Sequence, residues 1–397
     1  MRVLKKCYEM LDKRFFIICC SALVDPLLIH AYNPIIPELK TVFNVNIELI
    51  ALSLTLHMLP LAILCLFSGT LSDLYYRPKI LMYGLFTSSI GSLLGAFSPN
   101  ITIFLLSRSI QGLGSALIMP VSHALMGDII PRNDLGKAMG VQAIFTGIFG
   151  IVLGPLIGGF FAGIVWRLVP IILSVYTLIV GILSRIILRN ITPTKKGGIS
   201  MIYQQIRHVA SNRNIKLLCA CGFISSFCYQ GIQPIISDNL SLPPLLIKKN
   251  EIAILFSIIG FARILGSFLG GILSDKISPK QTMIIGFLME VLAAFLLTSA
   301  NSYWSYLIWL AVLAGFSNLT SISRTTLVLN LIPEARGTAS SFSNFAGFLG
   351  FSSAPIISTQ IYVGFGISFV FLFEIFLLLL CVLFAALLRI NSSEQDT

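Results

Sequence analysis

Two ionisable side chains, Asp25 and Arg108, stand inside long apolar stretches of the sequence. A charge placed in lipid costs about 2.5–3.5 kcal/mol on insertion scales, so an ionisable residue in such a stretch is a functional candidate by default. A carboxyl group can bind and release a proton, and a nearby guanidinium, which stays charged, favours the ionised carboxylate. Asp25 is therefore predicted to bind a proton and Arg108 to take part in proton coupling. A structural ion pair is the alternative.

Amide, phenol and guanidinium groups in other apolar stretches predict a polar cavity. Arg263 lies on the same helical face as Gly266 and Gly270, so its side chain is predicted to point into the protein. It would contact a substrate or balance an acid, and both alternatives stay open. The candidates for lining the cavity are Gln111, Tyr229, Gln230, Gln233, Arg263, Asn318 and Asn344.

The remaining ionisable residues in apolar stretches indicate no catalytic or metal site. His30, His57 and His123 are single residues at no metal-ligand spacing, and helix packing is their favoured interpretation. Glu290 and Glu374 are interpreted as partners between helices or at the lipid boundary, with Glu290 the second candidate for proton coupling. No convergent set of metal ligands and no Ser/His/Asp group is evident. The sequence therefore predicts neither an enzyme nor a bound metal or cofactor.

The composition indicates that lipid surrounds most of the chain. Of its 397 residues, 56% are hydrophobic and 11% are charged, and the mean hydropathy is +0.91, whereas water-facing domains carry about 25% charged residues. Apolar runs of about 20 residues span the hydrocarbon core of a bilayer. Twelve are predicted, at approximately residues 15–37, 47–70, 80–98, 101–126, 138–163, 168–188, 217–236, 252–273, 281–300, 304–330, 338–361 and 367–389.

The net charge of +11 is explained better by membrane topology than by nucleic-acid binding. The basic residues are scattered at helix ends, and no folded soluble segment is left to carry a binding face. If both termini are cytoplasmic, most of the 27 Lys and Arg lie near inner loops, as the positive-inside rule requires. None of the eight cysteines falls on a predicted outer loop, so no disulfide framework is expected. The amino-terminal segment is interpreted as a retained start rather than a signal peptide.

A charged loop occurs twice and divides the chain into two related halves. The segment 69–79 (GTLSDLYYRPK) returns 202 residues later as residues 271–280 (GILSDKISPK). Glycine permits close approach of helices, aspartate can accept hydrogen bonds from helix-end amides, and basic residues stay at the headgroups. These loops, with the start of the next inner loop, are predicted to be latches that hold one conformation. The latch residues are Gly69, Asp73, Arg77, Lys79, Asp128, Gly271, Asp275 and Lys280.

Three motifs resemble those of the major facilitator superfamily of secondary transporters. The doubled loop is similar to its Gly-x-Leu-x-Asp signature, and residues 108–114 (RSIQGLG) are similar to a signature associated there with proton coupling. Residues 150–159 (GIVLGPLIGG) match the antiporter signature typical of its drug/proton exporters. Together with Gly147, the glycines at 150, 154 and 158 are predicted to form one helix face that permits close backbone contact. The motif residues are Gly150, Gly154, Pro155, Gly158 and Gly159.

The resemblance implies an all-α membrane protein with twelve transmembrane helices in two pseudo-symmetric six-helix halves. Its predicted parts are a cytoplasmic segment 1–14, a first half 15–188, a cytoplasmic linker 189–216, a second half 217–389 and a cytoplasmic tail 390–397.

The resemblance also implies a function, closest in style to the bicyclomycin and chloramphenicol resistance group. The expected protein is a monomeric, proton-coupled antiporter that exports drugs or other small lipophilic compounds by alternating access. It would act in the cell membrane, which is the inner membrane in a Gram-negative cell, with both termini in the cytoplasm and no nucleic acid as partner. The alternatives are an exporter of an endogenous metabolite or siderophore and, with less support, a non-transporting receptor or a membrane-embedded enzyme.

Overall fold

The computed structural model describes residues 13–74, 76–189, 209–332 and 336–389, and the side chains in these ranges except those of 66–74, 132, 133 and 336. Nearly all of the predicted amino-terminal segment, most of the predicted linker and the whole predicted tail lie outside the described residues.

Six long helical segments form the amino-terminal half. Helix α1 (Lys13–Phe43) contains a 3₁₀ turn at Asn33–Ile35, and α5 consists of Arg132–Thr146, a π-helical turn Gly147–Val152 and Leu153–Ile164. The others are α2 (Ile47–Leu74), α3 (Arg77–Ala96), α4 (Ile101–Ile129) and α6 (Leu168–Ile187).

Six further helices form the carboxy-terminal half, and the predicted fold is confirmed. They are α7 (Arg213–Ser241), α8 (Lys249–Lys276), α9 (Pro279–Leu297), α10 (Tyr303–Leu331), α11 (Arg336–Phe365) and α12 (Ile367–Ala386). Among the described residues, ten helical segments are long and apolar enough to cross a membrane by composition alone. The other two, α3 and α11, are 20 and 30 residues long and rich in serine and glycine, which lowers their hydropathy.

Side-chain caps explain where several helices begin. The Asn100 side chain accepts a hydrogen bond from the Ile103 N–H at 3.0 Å, and Ser278 Oγ accepts one from the Gln281 N–H at 3.1 Å. The first N–H groups of a helix have no partner within it, so these caps satisfy donors that would otherwise need water. The short turns before α4 and α9 therefore start new helices at defined residues.

The two halves repeat the same packing scheme, and each has its own core. Helix α3 packs on α4 and α6 as α9 packs on α10 and α12, while α2 packs on α4 as α8 packs on α10. The buried apolar side chains form one large cluster in each half, and a small third cluster around Met58, Leu61 and Ala116 is packed against Phe348 and Phe351 of the other half. Between the halves, α2 packs against α11 and α5 against α8. The cavity between two such halves is where a transporter of this architecture binds its substrate.

The face that carries both described chain ends is called the proximal face, and the opposite one the distal face. At the proximal face Asn214 donates to the Arg389 carbonyl oxygen at 2.7 Å. Tyr76 Oη donates to the Leu188 carbonyl oxygen at 3.3 Å, so the start of α3 is joined to the end of α6. Helix α1 runs from the proximal to the distal face, and each following helix reverses direction.

Candidate functional site

Asp25 lies within α1 and is hydrogen-bonded to a histidine of α2. His57 Nε2 is 3.1 Å from Asp25 Oδ1, the His57 side chain is fully buried, and the Asp25 side chain is only 9% exposed. Burial of Asp25 was predicted from the apolar sequence around it. The partner was missed, because His57 was interpreted as a packing residue. Its only signal in the sequence was an ionisable ring in an apolar run.

Gly112, in the motif at residues 108–114, packs against the backbone of His57. A Cβ atom added at Gly112 of α4 would overlap the carbonyl oxygen of His57. Only a residue without a side chain lets α4 approach the α2 backbone this closely. The motif thus positions the partner of Asp25, a role that its spacing alone does not reveal.

Arg108 is fully buried in α4 and binds the backbone of α1 rather than a carboxylate. Its Nη1 donates to the Leu28 carbonyl oxygen at 3.0 Å and to Gln111 Oε1 at 2.5 Å, and its guanidinium lies 4.3 Å from the Tyr32 ring centroid. The bonded carbonyl lies near the end of the regular helix Lys13–His30, where α1 changes to a turn. Among the described residues, Arg108 forms no ion pair, so the structural ion pair with Asp25 is not present.

Gln111 does not line a cavity as predicted. It is fully buried, its Oε1 accepts from Arg108, and its Nε2 donates to Ser92 Oγ at 3.0 Å. Both ends of the amide are therefore engaged within the helix packing. Its role in the structure is to orient the arginine.

A cavity of about 270 Å³ reaches Asp25. Its walls come from α1, α4 and α5, so the carboxyl group faces a space and not only packed side chains. Within the described residues, no group of three His, Cys, Asp or Glu side chains is arranged to hold a metal ion. The cavity is lined by Ala22, Asp25, Pro26, Met119, His123, Met139, Gln142, Ala143 and Thr146.

The glycines of the antiporter motif lie against α1 next to this cavity. A Cβ atom added at Gly150 would overlap Pro26 Cβ, and one added at Gly158 would overlap the Ala31 carbonyl oxygen. At Gly154 the added atom would be 3.4 Å from His30 Cβ, an ordinary contact. Pro155, also of the motif, is buried in the same helix.

One motif glycine faces the other half of the molecule. A Cβ atom added at Gly159 would be 2.5 Å from Ala253 Cβ of α8, and one at Gly147 would be 3.1 Å from Ile264 Cδ1 of the same helix. The predicted single face of glycines is therefore divided between α1 and α8. The π-helical turn between Gly147 and Val152 changes the helical register at this point.

One polar cluster in the carboxy-terminal half consists of Tyr229 of α7, Arg263 of α8 and Asn318 of α10. Arg263 Nη2 donates to Asn318 Oδ1 at 3.2 Å, and Asn318 Nδ2 donates back to the Arg263 carbonyl oxygen at 3.0 Å. The Arg263 guanidinium lies 4.1 Å from the Tyr229 ring centroid. Arg263 thus points into the protein, as its glycine face predicted, and a buried acid is not its partner among these contacts.

The remaining cavity candidates have three different environments. Gln233 accepts from Asn33 Nδ2 at 3.1 Å, a contact between residues 200 apart that joins the two halves at equivalent positions of the repeat. Gln230 is 2% exposed, and its Nε2 has no hydrogen-bond partner among the described residues. Asn344 is exposed on α11 and outside the cluster. The missed residue Asn33 was readable from a second repeat in the sequence, since residues 33–36 (NPII) return 200 residues later as residues 233–236 (QPII).

The predicted latches are made differently in the two halves. Arg77 Nη1 is 2.6 Å from Asp128 Oδ1, with both side chains mostly buried, so the start of α3 is joined to the end of α4. In the second half, Lys280 Nζ donates to the Leu388 carbonyl oxygen at 2.7 Å. Lys79 is exposed, and the side chains of segment 66–74, which includes Gly69 and Asp73, are not described.

Two latch residues of the second half do not make the predicted contacts. Asp275 is exposed and has no hydrogen bond among the described residues. A Cβ atom added at Gly271 would meet nothing within 4 Å, so this glycine brings no helices together in the present conformation. Among the described residues, the second loop is instead joined to other helices through Lys280 and through Ser274, whose Oγ is 2.9 Å from Ser323 Oγ of α10.

Ion pairs that the sequence did not predict join the two halves at the distal face. Lys40 Nζ is paired with Asp238 Oδ1, whose side chain is 3% exposed. Glu38 Oε2 is 2.9 Å from Lys249 Nζ, which also donates to the Ala162 carbonyl oxygen at 2.8 Å. These contacts close the distal end of the molecule. Partners in different halves cannot be matched before the fold is known.

Comparison with known proteins identifies a family. The family model described as Major Facilitator Superfamily matches residues 18–237 and 215–397. The MFS-type transporter YdgK of Bacillus subtilis is 26% identical over 353 residues, covering 86% of this chain and 87% of its own. The quinolone resistance protein NorA of Staphylococcus aureus is 24% identical over 380 residues, covering 90% and 94%.

A solved structure has a similar fold. It is a bacterial homolog of the human lysosomal transporter Spinster in an inward-facing and occupied conformation. The TM-score is 0.77 with 15% identity, over 96% of this chain and 98% of that one. At this identity the likeness is one of fold alone.

Proposed function

The chain belongs to the Major Facilitator Superfamily, and we propose that this multi-pass membrane transporter is a proton-coupled antiporter that exports lipophilic small molecules. The observation that carries the proposal is the Asp25 carboxyl, which is hydrogen-bonded to His57 and lines a cavity beside the antiporter motif. A carboxyl in this position can bind either a proton or the positive charge of a cargo. The name of the relative NorA supports drugs as the class of cargo.

Proton and cargo compete at Asp25 in the proposed mechanism. When the cavity opens to the more acidic exterior, the carboxyl takes a proton and releases cargo. When it opens to the cytoplasm, the carboxyl loses the proton and binds cargo again. A difference of 1.4 kcal/mol in cargo binding between the two protonation states corresponds to about tenfold in affinity, so modest coupling is sufficient. Cargo affinity is expected to fall as the pH falls.

The contacts of the glycine motif give this exchange its structural basis. Gly150 and Gly158 hold α5 against α1, which carries Asp25, and Gly159 holds it against α8 of the other half. A helix that packs closely on both sides of the interface can seal the cavity on one side while the other opens. One chain contains both halves, so the proposed cycle requires only a monomer.

The direction of transport requires that the proximal face be cytoplasmic. The basic residues of the sequence favour this orientation by the positive-inside rule. A cysteine placed near Lys195 in a cysteine-free background is expected to be protected from an impermeant reagent in intact cells and to react after permeabilisation. Reaction in intact cells would show that the proximal face is outside the cell, and this orientation would contradict the proposed export.

The proposed function is tested by growth in the presence of toxic compounds. Cells that express the protein are expected to tolerate lipophilic cations better than cells with Asp25→Asn, and a protonophore should remove the difference. The control is Glu251→Gln, which changes an exposed acid at the distal start of α8. Equal tolerance of wild type and Asp25→Asn across the panel would contradict drug export and favour export of an endogenous metabolite.

A further inference from the structure

Two carboxyl groups lie deep in the carboxy-terminal half, outside the site described above. Glu290 of α9 is 1% exposed and Glu374 of α12 is fully buried. Counting 1.5 Å per residue, Glu290 lies about 17 Å from Pro279 and Glu374 about 18 Å from Ala386, the proximal ends of their helices. The two acids are therefore at the same depth on helices that pack together. Glu290 lies close enough to Glu374 to act on it electrostatically.

Among the described residues, no cation pairs with either acid of this pair. Glu290 Oε1 accepts a hydrogen bond from Thr320 Oγ1 at 3.0 Å, whereas neither carboxyl oxygen of Glu374 has a partner among the described residues. The titratable groups that interact with the pair are thiols, Cys228 of α7 and Cys381 of α12.

The buried arginine nearest to Thr320 in the sequence is Arg324, and its contacts are with other groups than the two acids. Arg324 of α10 donates to Ser343 Oγ at 2.5 Å and interacts with the thiols of Cys219, Cys221 and Cys381. None of the ion pairs among the described residues includes Glu290 or Glu374. Two ionised carboxylates in this position would each lack a counter-charge in a medium of low dielectric constant.

Protonation of a carboxyl group removes this conflict, because it removes the unpaired charge. A neutral acid has one O–H donor and an acceptor oxygen, and it avoids the repulsion between two like charges. Two interacting acids release their protons in two steps that belong to the pair. Glu290 and Glu374 together would then hold at least one proton over a wide pH range.

Hydroxyl groups lie beside the pair, between α10 and α7. The single proton of Thr320 Oγ1 has two alternative acceptors, Glu290 Oε1 at 3.0 Å and the Ser317 carbonyl oxygen at 2.8 Å. Ser317 Oγ is 3.4 Å from Ser225 Oγ, and both serines are 8% exposed. A hydroxyl both donates and accepts, which suits the passage of a proton.

We propose that Glu290 and Glu374 form a second proton-binding site, in the carboxy-terminal half, which exchanges its proton through Thr320. The observation behind it is a pair of buried acids beside the hydroxyl of Thr320, one of which has no hydrogen-bond partner in the part of the chain that the structure describes. Proton binding at this pair does not depend on the proposed function. Only its use in coupled transport rests on that function.

The test is infrared difference spectroscopy of the purified full-length protein in lipid nanodiscs, with no substrate added. The carbonyl stretch of protonated carboxyls is followed as the pH is raised. Glu290→Gln and Glu374→Gln are each expected to remove part of this band and to move the midpoint of the remaining part by at least about one pH unit, a tenfold change in proton affinity. Asp25→Asn should leave the part that belongs to the pair intact.

Controls separate the pair from a general effect of substitution. Glu251→Gln, at an exposed acid, should reproduce the wild-type titration, and size-exclusion chromatography excludes variants that do not fold. Thr320→Val should slow the hydrogen–deuterium exchange of the band, while Thr320→Ser, which keeps the hydroxyl, should restore it. A band unchanged in both glutamine variants would overturn the proposal, as would unchanged exchange in Thr320→Val.

Discussion

At the scale of single residues, the proposed proton binding in α1 depends on the hydrogen bond between Asp25 and His57. His57 Nε2 lies 3.1 Å from the carboxylate, and both groups are removed from water. An imidazole can donate to the ionised carboxylate or share its proton, so it stabilises both states of the site. Arg108 instead fixes the end of the regular part of α1 through Leu28.

The first prediction concerns the imidazole. Replacing His57 with Leu removes the hydrogen bond to Asp25 and should weaken the pH dependence of cargo binding at least about tenfold, the equivalent of 1.4 kcal/mol. Replacing it with Gln keeps a donor and should retain part of the dependence. Binding is measured by the quenching of tryptophan fluorescence at several pH values. An unchanged pH dependence in His57→Leu would show that the histidine only packs.

The sequence allows some of this site to be predicted and not the rest. Burial of Asp25 and Arg108 follows from their apolar neighbours, because lipid surrounds any residue in such a run. The pairing of Asp25 with His57 depends on how two helices face each other, and the sequence contains no distance between them. Gln111 was placed in a cavity for the same reason, although it binds Arg108 and Ser92.

At the scale of the helix, α5 is the element that joins the proton site to the interface between the halves. Its glycines contact α1 at Gly150 and Gly158 and α8 at Gly159. The spacing of the glycines predicted close packing, but not which helices are the partners. The spacing of the glycines did not predict the π-helical turn at Gly147–Val152 either.

The second prediction compares two glycines of α5. Gly158→Ala places a Cβ atom on the Ala31 carbonyl oxygen, whereas at Gly163 the added atom would have its nearest neighbour, Asn250 Oδ1, at 3.9 Å. Overpacking of this kind costs about 1–3 kcal/mol. Gly158→Ala should therefore lose most of the export activity, and Gly158→Leu all of it, while the protein still reaches the membrane. Gly163→Ala should export normally.

Export is measured as the rate of loss of a fluorescent lipophilic cation from preloaded cells, corrected for protein in the membrane. Equal rates for Gly158→Ala and Gly163→Ala would show that the tight contact with α1 has no part in transport.

At the scale of the whole molecule, ion pairs between the halves close the distal end. Glu38 with Lys249 and Lys40 with Asp238 connect the distal end of α1 to α8 and α7. Alternating access requires these pairs to break when the distal side opens. The doubled loops revealed the two halves from sequence alone, but contacts between halves lie far apart in the chain and have no sequence signature.

The third prediction exchanges the charges of one pair. Glu38→Lys places two like charges together and should raise the population of the distal-open state about fivefold, which corresponds to about 1 kcal/mol. Adding Lys249→Glu reverses the pair and should restore the original population. Spin labels at the exposed positions Val42 and Leu242 report the distance between the halves. The same distance distribution in the single variant as in the wild type would contradict closure by this pair.

The central claim is that Asp25 exchanges a proton for cargo, and proton release on cargo binding tests it most directly. Purified protein in weakly buffered detergent receives a lipophilic cation, and the pH of the solution is recorded. Wild type and the control Glu251→Gln are expected to release protons, whereas Asp25→Asn should bind the cation at an affinity independent of pH and release none. If Asp25→Asn released as many protons as the wild type, Asp25 would not be the coupling carboxyl and the account would be contradicted.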